Sequence, residues 1–277
     1  MATKPKKQAS YDLKAADRKR NLAIQIGLTS IVVIFAVVLV GYIVLSNDKK
    51  PQSGEAKSVR VASSNVIKKE GSSDPKVVLS LYEDFLCPHC GQFEQQFGPT
   101  VNKLIDTGAV AADYYMVGIL DRPQNQNYSS RAGGAAYCVA DESTDAFRRF
   151  HAALFAQQPD ETATAFPDNA RLVEVARQAG AGGGVPDCID KGRYTEMVQG
   201  LAAATGIQAT PTIKINGQEY SPTTPDALVA KIKETVGDVP GLTAAPAAPA
   251  PTPAAAPQAP APAPATAPAI TPPTTTR

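Results

Sequence analysis

The sequence predicts a mixed α/β domain preceded by a single transmembrane helix. Three observations carry that expectation. Residues 21–47 hold no charged side chain. A strand-length apolar run, Lys76–Tyr82, leads through Glu83–Leu86 into Cys87-Pro88-His89-Cys90 and then into helical periodicity. Near the end of the same segment, two short apolar runs flank Asn216-Gly217. Composition sets the bounds. Of 277 residues, 19% are charged, tryptophan is absent, and 11 of the 24 prolines crowd between Gly241 and Arg277. Without the charge-free run and the proline-rich end, about 180 residues remain, enough for one domain with its own core.

The elements follow in order. Residues 1–21 carry seven Lys/Arg against two acids, a basic cytoplasmic tail. Leu22–Leu45 is 24 residues long, sufficient to cross a hydrocarbon core of about 30 Å as a helix. Lys14, Arg18, Lys19 and Arg20 precede it closely, whereas Asp48, Lys49, Lys50, Glu55 and Lys57 mix signs after it. The positive-inside rule then keeps the N-terminus cytoplasmic and sends the remainder across the plasma membrane. A cleaved signal peptide is the rival, with a poor cleavage site at Val44-Leu45-Ser46, but the run exceeds the usual signal core. Residues 46–57 form a polar linker, 58–238 the domain, and 239–277 an Ala/Pro/Thr-rich tail. Such a tail buries too little apolar surface to order itself. It reads as a spacer, or as a cell-wall-embedded or O-glycosylated segment.

Within the domain, Lys76–Tyr82 is a strand. Phe93, Phe97, Val101 and Leu104 then repeat at helical spacing, with Pro99 expected to kink the helix. Val110–Val117 is a further strand. Thr212–Ile215 and Gln218–Tyr220 form a hairpin about Asn216-Gly217, and Asp226–Val236 is a closing helix. The Cys-x-x-Cys therefore sits where a strand gives way to a helix. Unsatisfied N–H groups and the positive end of the dipole there lower a thiol pKa. Cys87 is expected as the exposed nucleophile and Cys90, one turn in, as the shielded resolving thiol. His89 adds charge or a hydrogen bond near the Cys87 sulfur. Zinc and an inert structural disulfide are the competing uses of such a pair; for zinc a second close pair is missing, since Cys138 and Cys188 stand 50 residues apart and only two histidines exist. No metal and no cofactor are expected.

Strand, Cys-Pro-His-Cys and helix, followed much later by Ala209-Thr210-Pro211-Thr212 and a hairpin, resemble the thioredoxin fold. Within it, the chain resembles the DsbA-like thiol–disulfide oxidoreductases of bacterial envelopes over about Val59–Val236. Tyr82–Phe85 is similar to the single-domain, often membrane-tethered relatives. The resemblance implies that Pro211 is cis and packs against Cys87–Cys90, and that Thr210 offers its backbone to an extended substrate. It also implies that the long gap between Cys90 and Pro211 is a helical insertion, about residues 120–206. Three helical faces support this: Phe147, Phe150, His151, Leu154 and Phe155; Leu172, Val175, Ala176 and Ala179, ending at Gly180; and Ile189, Met197, Val198 and Leu201. His151 is expected to pack or cap. The chain also departs from the family. The buried acid that many relatives place six residues before the first cysteine is Leu81 here. Thr210 replaces the valine common before the cis-proline. Glu83 and Asp84 lie nearer to the cysteines and either serve in place of that acid or, the favoured reading, are solvated loop acids.

Residues 58–238 carry 16 Lys/Arg against 22 acids. That balance argues against nucleic-acid binding, which needs clustered cations. The expected function is a membrane-tethered extracytoplasmic oxidase that introduces disulfides into reduced, unfolded exported proteins. A quinone-linked membrane enzyme of the DsbB or VKOR type, implied by the family, would reoxidise it. An isomerase or reductase with the same dithiol, and a non-catalytic envelope scaffold or adhesion protein, are the alternatives. Cys138 and Cys188, both in apolar helical stretches of an export-side domain, are expected to form a structural disulfide.

Overall fold

The computed structural model describes residues 56–247 and Phe35. The chain divides into two units, residues 1–52 and 53–277, and of the first only Phe35 is described, in helical backbone. The expected basic tail 1–21, the expected anchor Leu22–Leu45 apart from Phe35, the linker up to residue 55 and the tail from residue 248 thus lie outside the described residues. Among the described residues no helix is long and apolar enough to cross a membrane.

In the second unit the sheet runs β1 (Val59–Val61), β3 (Ala111–Met116), β2 (Val78–Glu83), β4 (Thr212–Ile215) and β5 (Gln218–Glu219) in spatial order. β2 and β3 are parallel and are joined through helix α1 (Pro88–Asp106), the kind of crossover a parallel pair needs. The other pairs are antiparallel. Asn216 and Gly217 both take positive φ, 49° and 82°, as a two-residue hairpin turn requires. Strand β1, not foreseen, is three residues long. Val59 and Val61 are buried, while Arg60 makes a two-pronged ion pair with Asp113 on β3, both bonds 2.7 Å. α1 continues without interruption through Pro99.

Between β3 and β4 lie five helices: α2 (Tyr128–Glu142), α3 (Thr144–Ala156), α4 (Asn169–Gln178), α5 (Val185–Asp190) and α6 (Thr195–Thr205). Side-chain caps from Ser143 and Asp168 start α3 and α4. The helix expected over Ile189–Leu201 is in fact two. Gly192, at φ 55°, turns the chain, and the Arg193 N–H closes on the Cys188 carbonyl. Cys138 on α2 and Cys188 on α5 are joined by a disulfide, 50 residues apart in sequence. Helix α7 (Pro225–Val236), capped by Thr224, packs on α1. The tail boundary at 239 needs correction. Leu242 is buried in the core, and Ala245 exchanges two hydrogen bonds with the Thr100 hydroxyl on α1, so residues 239–247 begin as part of the domain.

Candidate active site

β2 ends one residue past its apolar run, at Glu83, and the chain then turns through Asp84–Cys87 into α1. Asp84 holds the turn. Its carbonyl accepts the Cys87 N–H at 3.0 Å, Oδ1 accepts the Leu86 N–H at 2.8 Å, and Oδ2 accepts the Leu120 N–H from the loop after β3 at 2.9 Å. Burial pushes its carboxyl up to about 6 against the pull of those N–H groups. Asp84 is therefore a buried anchor and not a solvated loop acid.

Cys87 is the N-cap of α1 in extended backbone, with Pro88 at the first helical position, where its missing N–H costs nothing. Its thiol is pulled down to about 5. The largest cause is a hydrogen bond from the Cys90 thiol, opposed by burial and reinforced by the Thr210 hydroxyl and the N–H groups of Cys90 and His89. Both cysteines are free thiols here. One expectation is corrected: Cys87 is not exposed, being 6% accessible, and the Thr210 carbonyl lies 3.4 Å from its sulfur, accepting the thiol proton. His89 supplies a hydrogen bond to the sulfur through its backbone N–H, while its imidazole is exposed with Nδ1 3.4 Å from Gln92 Oε1. Cys90 is fully buried, and burial, with the neighbouring Cys87 and Glu83, pushes its thiol far up. Thr210–Pro211 is a cis peptide, half-buried, leading into β4 beside Tyr82 of β2.

Behind the dithiol lies a group the sequence did not disclose. Strand alternation puts Glu83 on the face of Leu79 and Leu81, fully buried, so it too is no loop acid. His151 Nε2 on α3 lies 3.0 Å from Glu83 Oε2, and Nδ1 lies 3.8 Å from Glu94 Oε2 on α1. Phe85, Tyr114, Phe147 and Phe155 ring the imidazole. Burial pushes both carboxyls well above the ordinary range and the imidazole down. Oε1 of Glu83 and Oε1 of Glu94 are both buried without a hydrogen-bond partner among the described residues, which favours the neutral form of each carboxyl. Two carboxylates and an imidazole with donor atoms within 4.8 Å of one another are also a possible cation set. His151 does pack as expected, but it also bridges two acids.

A low-pKa sulfur at a helix start, a buried partner thiol one turn in and a cis-proline opposite them serve one kind of chemistry, dithiol–disulfide exchange on a thioredoxin scaffold. Residues 68–234 match the family described as Thioredoxin. The chain belongs to that family and, within it, to the DsbA-like thiol–disulfide oxidoreductases. The reduced DsbA structure from Mycobacterium tuberculosis is 64% identical, at a TM-score of 0.66 over 67% of this chain and 95% of that one. The reduced disulfide bond oxidoreductase DsbG from the same organism is 64% identical, at a TM-score of 0.67 over 69% and 92%. A further relative is the serine/threonine-protein kinase PknE of M. tuberculosis, 30% identical over 126 residues, 44% of this chain. The chain spans only 22% of the length of that curated relative.

Proposed function

We propose that the protein is a membrane-tethered extracytoplasmic oxidase that donates the Cys87–Cys90 disulfide to reduced, unfolded exported proteins. A substrate thiolate attacks the Cys87 sulfur, the Cys87–Cys90 bond breaks, and Cys90 leaves as a thiolate that takes up a proton. A second substrate thiolate then attacks the substrate sulfur of the mixed disulfide and releases Cys87 as thiolate. The substrate dithiol is oxidised by two electrons and the protein disulfide is reduced. The observation that carries this direction is the stabilised Cys87 sulfur, because a good leaving thiolate favours transfer outward. The cis Pro211 edge, with Thr210 beside the sulfur, supports docking of an extended substrate there.

A quinone-linked membrane enzyme of the DsbB or VKOR type is the reoxidant in this reading. The charge asymmetry about Leu22–Leu45 supports an anchor with the domain outside the plasma membrane. The test is equilibration of the full chain with glutathione redox buffers, alongside oxidation of a reduced, unfolded substrate. An oxidase stays reduced in buffers that oxidise thioredoxin, and Cys87→Ser abolishes turnover. A disulfide that forms as readily as that of thioredoxin would instead favour the isomerase or reductase.

A further inference from the structure

Gln158 lies two residues beyond the end of α3 and outside every motif of the dithiol site. Its Nε2 nonetheless donates to two carbonyls of the turn that presents the nucleophile, Phe85 at 3.1 Å and Cys87 at 2.9 Å. The other end of the carboxamide fills the space over Gly91. A Cβ placed on Gly91 would stand 2.3 Å from Gln158 Oε1 and 3.2 Å from its Cδ, so the carboxamide would have to move away. Gly91 thus supplies the room that Gln158 occupies. The Cys87 carbonyl already accepts the N–H groups of Cys90 at 3.0 Å and Gly91 at 3.2 Å. The Gln158 bond is therefore not needed to satisfy it, and what that bond adds is direction. Phe85 is gripped from the same helix by the Phe155 ring, 4.9 Å between centroids.

We propose that Gln158 is a positioning residue of the dithiol site, its carboxamide seated over Gly91 and holding the Phe85 and Cys87 carbonyls away from the Cys87 sulfur. The inference rests on the dithiol reading of Cys87 and Cys90. The physical reason is local. A peptide unit carries opposite partial charges at its two ends, so the same turn can aim N–H groups or carbonyl oxygens at the sulfur. The N–H groups of His89 and Cys90 face the sulfur from the neighbouring peptide units. With Gln158 removed, the Cys87 carbonyl stays held by the Cys90 and Gly91 N–H groups, whereas the Phe85 carbonyl loses the amide that ties it and is free to turn toward the thiolate. The helical insertion is then a wall of the active site as well as a cover over it.

The experiment titrates Cys87 by thiolate absorbance and measures the Cys87–Cys90 equilibrium against glutathione in the full chain. Gln158→Ala is expected to raise the Cys87 midpoint by about one unit, which makes the disulfide about tenfold less oxidising. Gln158→Glu, of equal size but with an ionised carboxylate facing two carbonyls, raises it at least as far. Gly91→Ala evicts the carboxamide and reproduces the shift with Gln158 still present. In the Gln158→Ala background, Gly91→Ala adds no further shift and raises the melting temperature, because alanine is the better helix former once the space is empty. An unchanged midpoint in Gln158→Ala, even with a lowered melting temperature, overturns the proposal. So does a Gly91→Ala shift that adds in full to that of Gln158→Ala. These readouts report on the Cys87 sulfur whichever way electrons flow, so the oxidase reading can fail while this one stands.

Discussion

Cys87 and Glu83, four residues apart, pull stability in opposite directions as pH changes. The Cys87 pKa falls from 9.0 in the unfolded chain to about 5 in the folded reduced protein. Its contribution is therefore complete above about pH 9, declines as pH falls, and is gone below about pH 5. Glu83 has a raised folded pKa, so above about 4.5 the folded state keeps a proton that the unfolded state releases. Its contribution falls as pH rises. The carboxyl is present in both redox forms, but the Cys87 thiolate is one cause of its raised pKa, so the difference between the forms reports the thiol together with that coupling. The melting temperature of the reduced protein is expected to exceed that of the oxidised one near pH 7, by a margin that grows toward pH 9 and vanishes near pH 5. Thr210→Val, which removes the hydroxyl that supports the sulfur, narrows the margin. A margin flat in pH would mean that Cys87 is not an unusual thiol. Cys87, Pro88 and Cys90 were legible in the sequence because their chemistry depends on three consecutive bonds and a helix start. Glu83 was misread by one residue. Ending β2 at Tyr82 leaves it in a loop, whereas ending it at Glu83 turns it inward beside Leu81. Glu94 and Gln158 gave no local signal, since their partners are carbonyls and acids far away in the chain.

At the scale of elements, the helices with large apolar stripes were legible and the one built of small residues was not. α3 and α4 carry Phe, Leu and Val at helical spacing. α2 buries Ala132, Gly133, Gly134, Ala135 and Ala136 instead, so its periodicity is faint. Those small residues admit close neighbours. A Cβ on Gly133 would lie 2.8 Å from Val198 Cγ1 on α6, and one on Gly134 would lie 3.1 Å from the Thr195 nitrogen. The Cys138–Cys188 bond fastens this closely packed helix to α5 across a 50-residue loop. In the chain-entropy model, closing such a loop stabilises by about 4 kcal/mol. Replacing both cysteines by alanine is expected to lower stability by roughly 2–4 kcal/mol in denaturant titration and to leave the Cys87 midpoint unchanged. A loss below about 0.5 kcal/mol would mean that packing alone fixes the pair.

For the molecule as a whole, composition separated a folded domain from its surroundings but misplaced the end of that domain. Residues from 239 onward look unstructured because Ala, Pro and Thr dominate them, and a single leucine among them forms no pattern. Leu242 is nevertheless 2% exposed, Thr243 Oγ1 receives the Lys103 ammonium at 2.6 Å, and Ala245 closes two bonds with the buried Thr100 hydroxyl. The segment thus runs back along α1, the helix whose first turn carries the dithiol. Burying one leucine is worth about 2 kcal/mol, and the Thr100 pair adds about 1 kcal/mol. Ending the chain after Asp238 should therefore cost roughly 2–3 kcal/mol, a drop of about 5–10 °C in melting temperature for a domain of this size. Ending it after Ala247 should leave the melting temperature where it is. Leu242→Ala in the full chain should reproduce most of the loss without shortening anything. If both truncations melt alike, the docked segment contributes nothing and the boundary belongs at 239 after all.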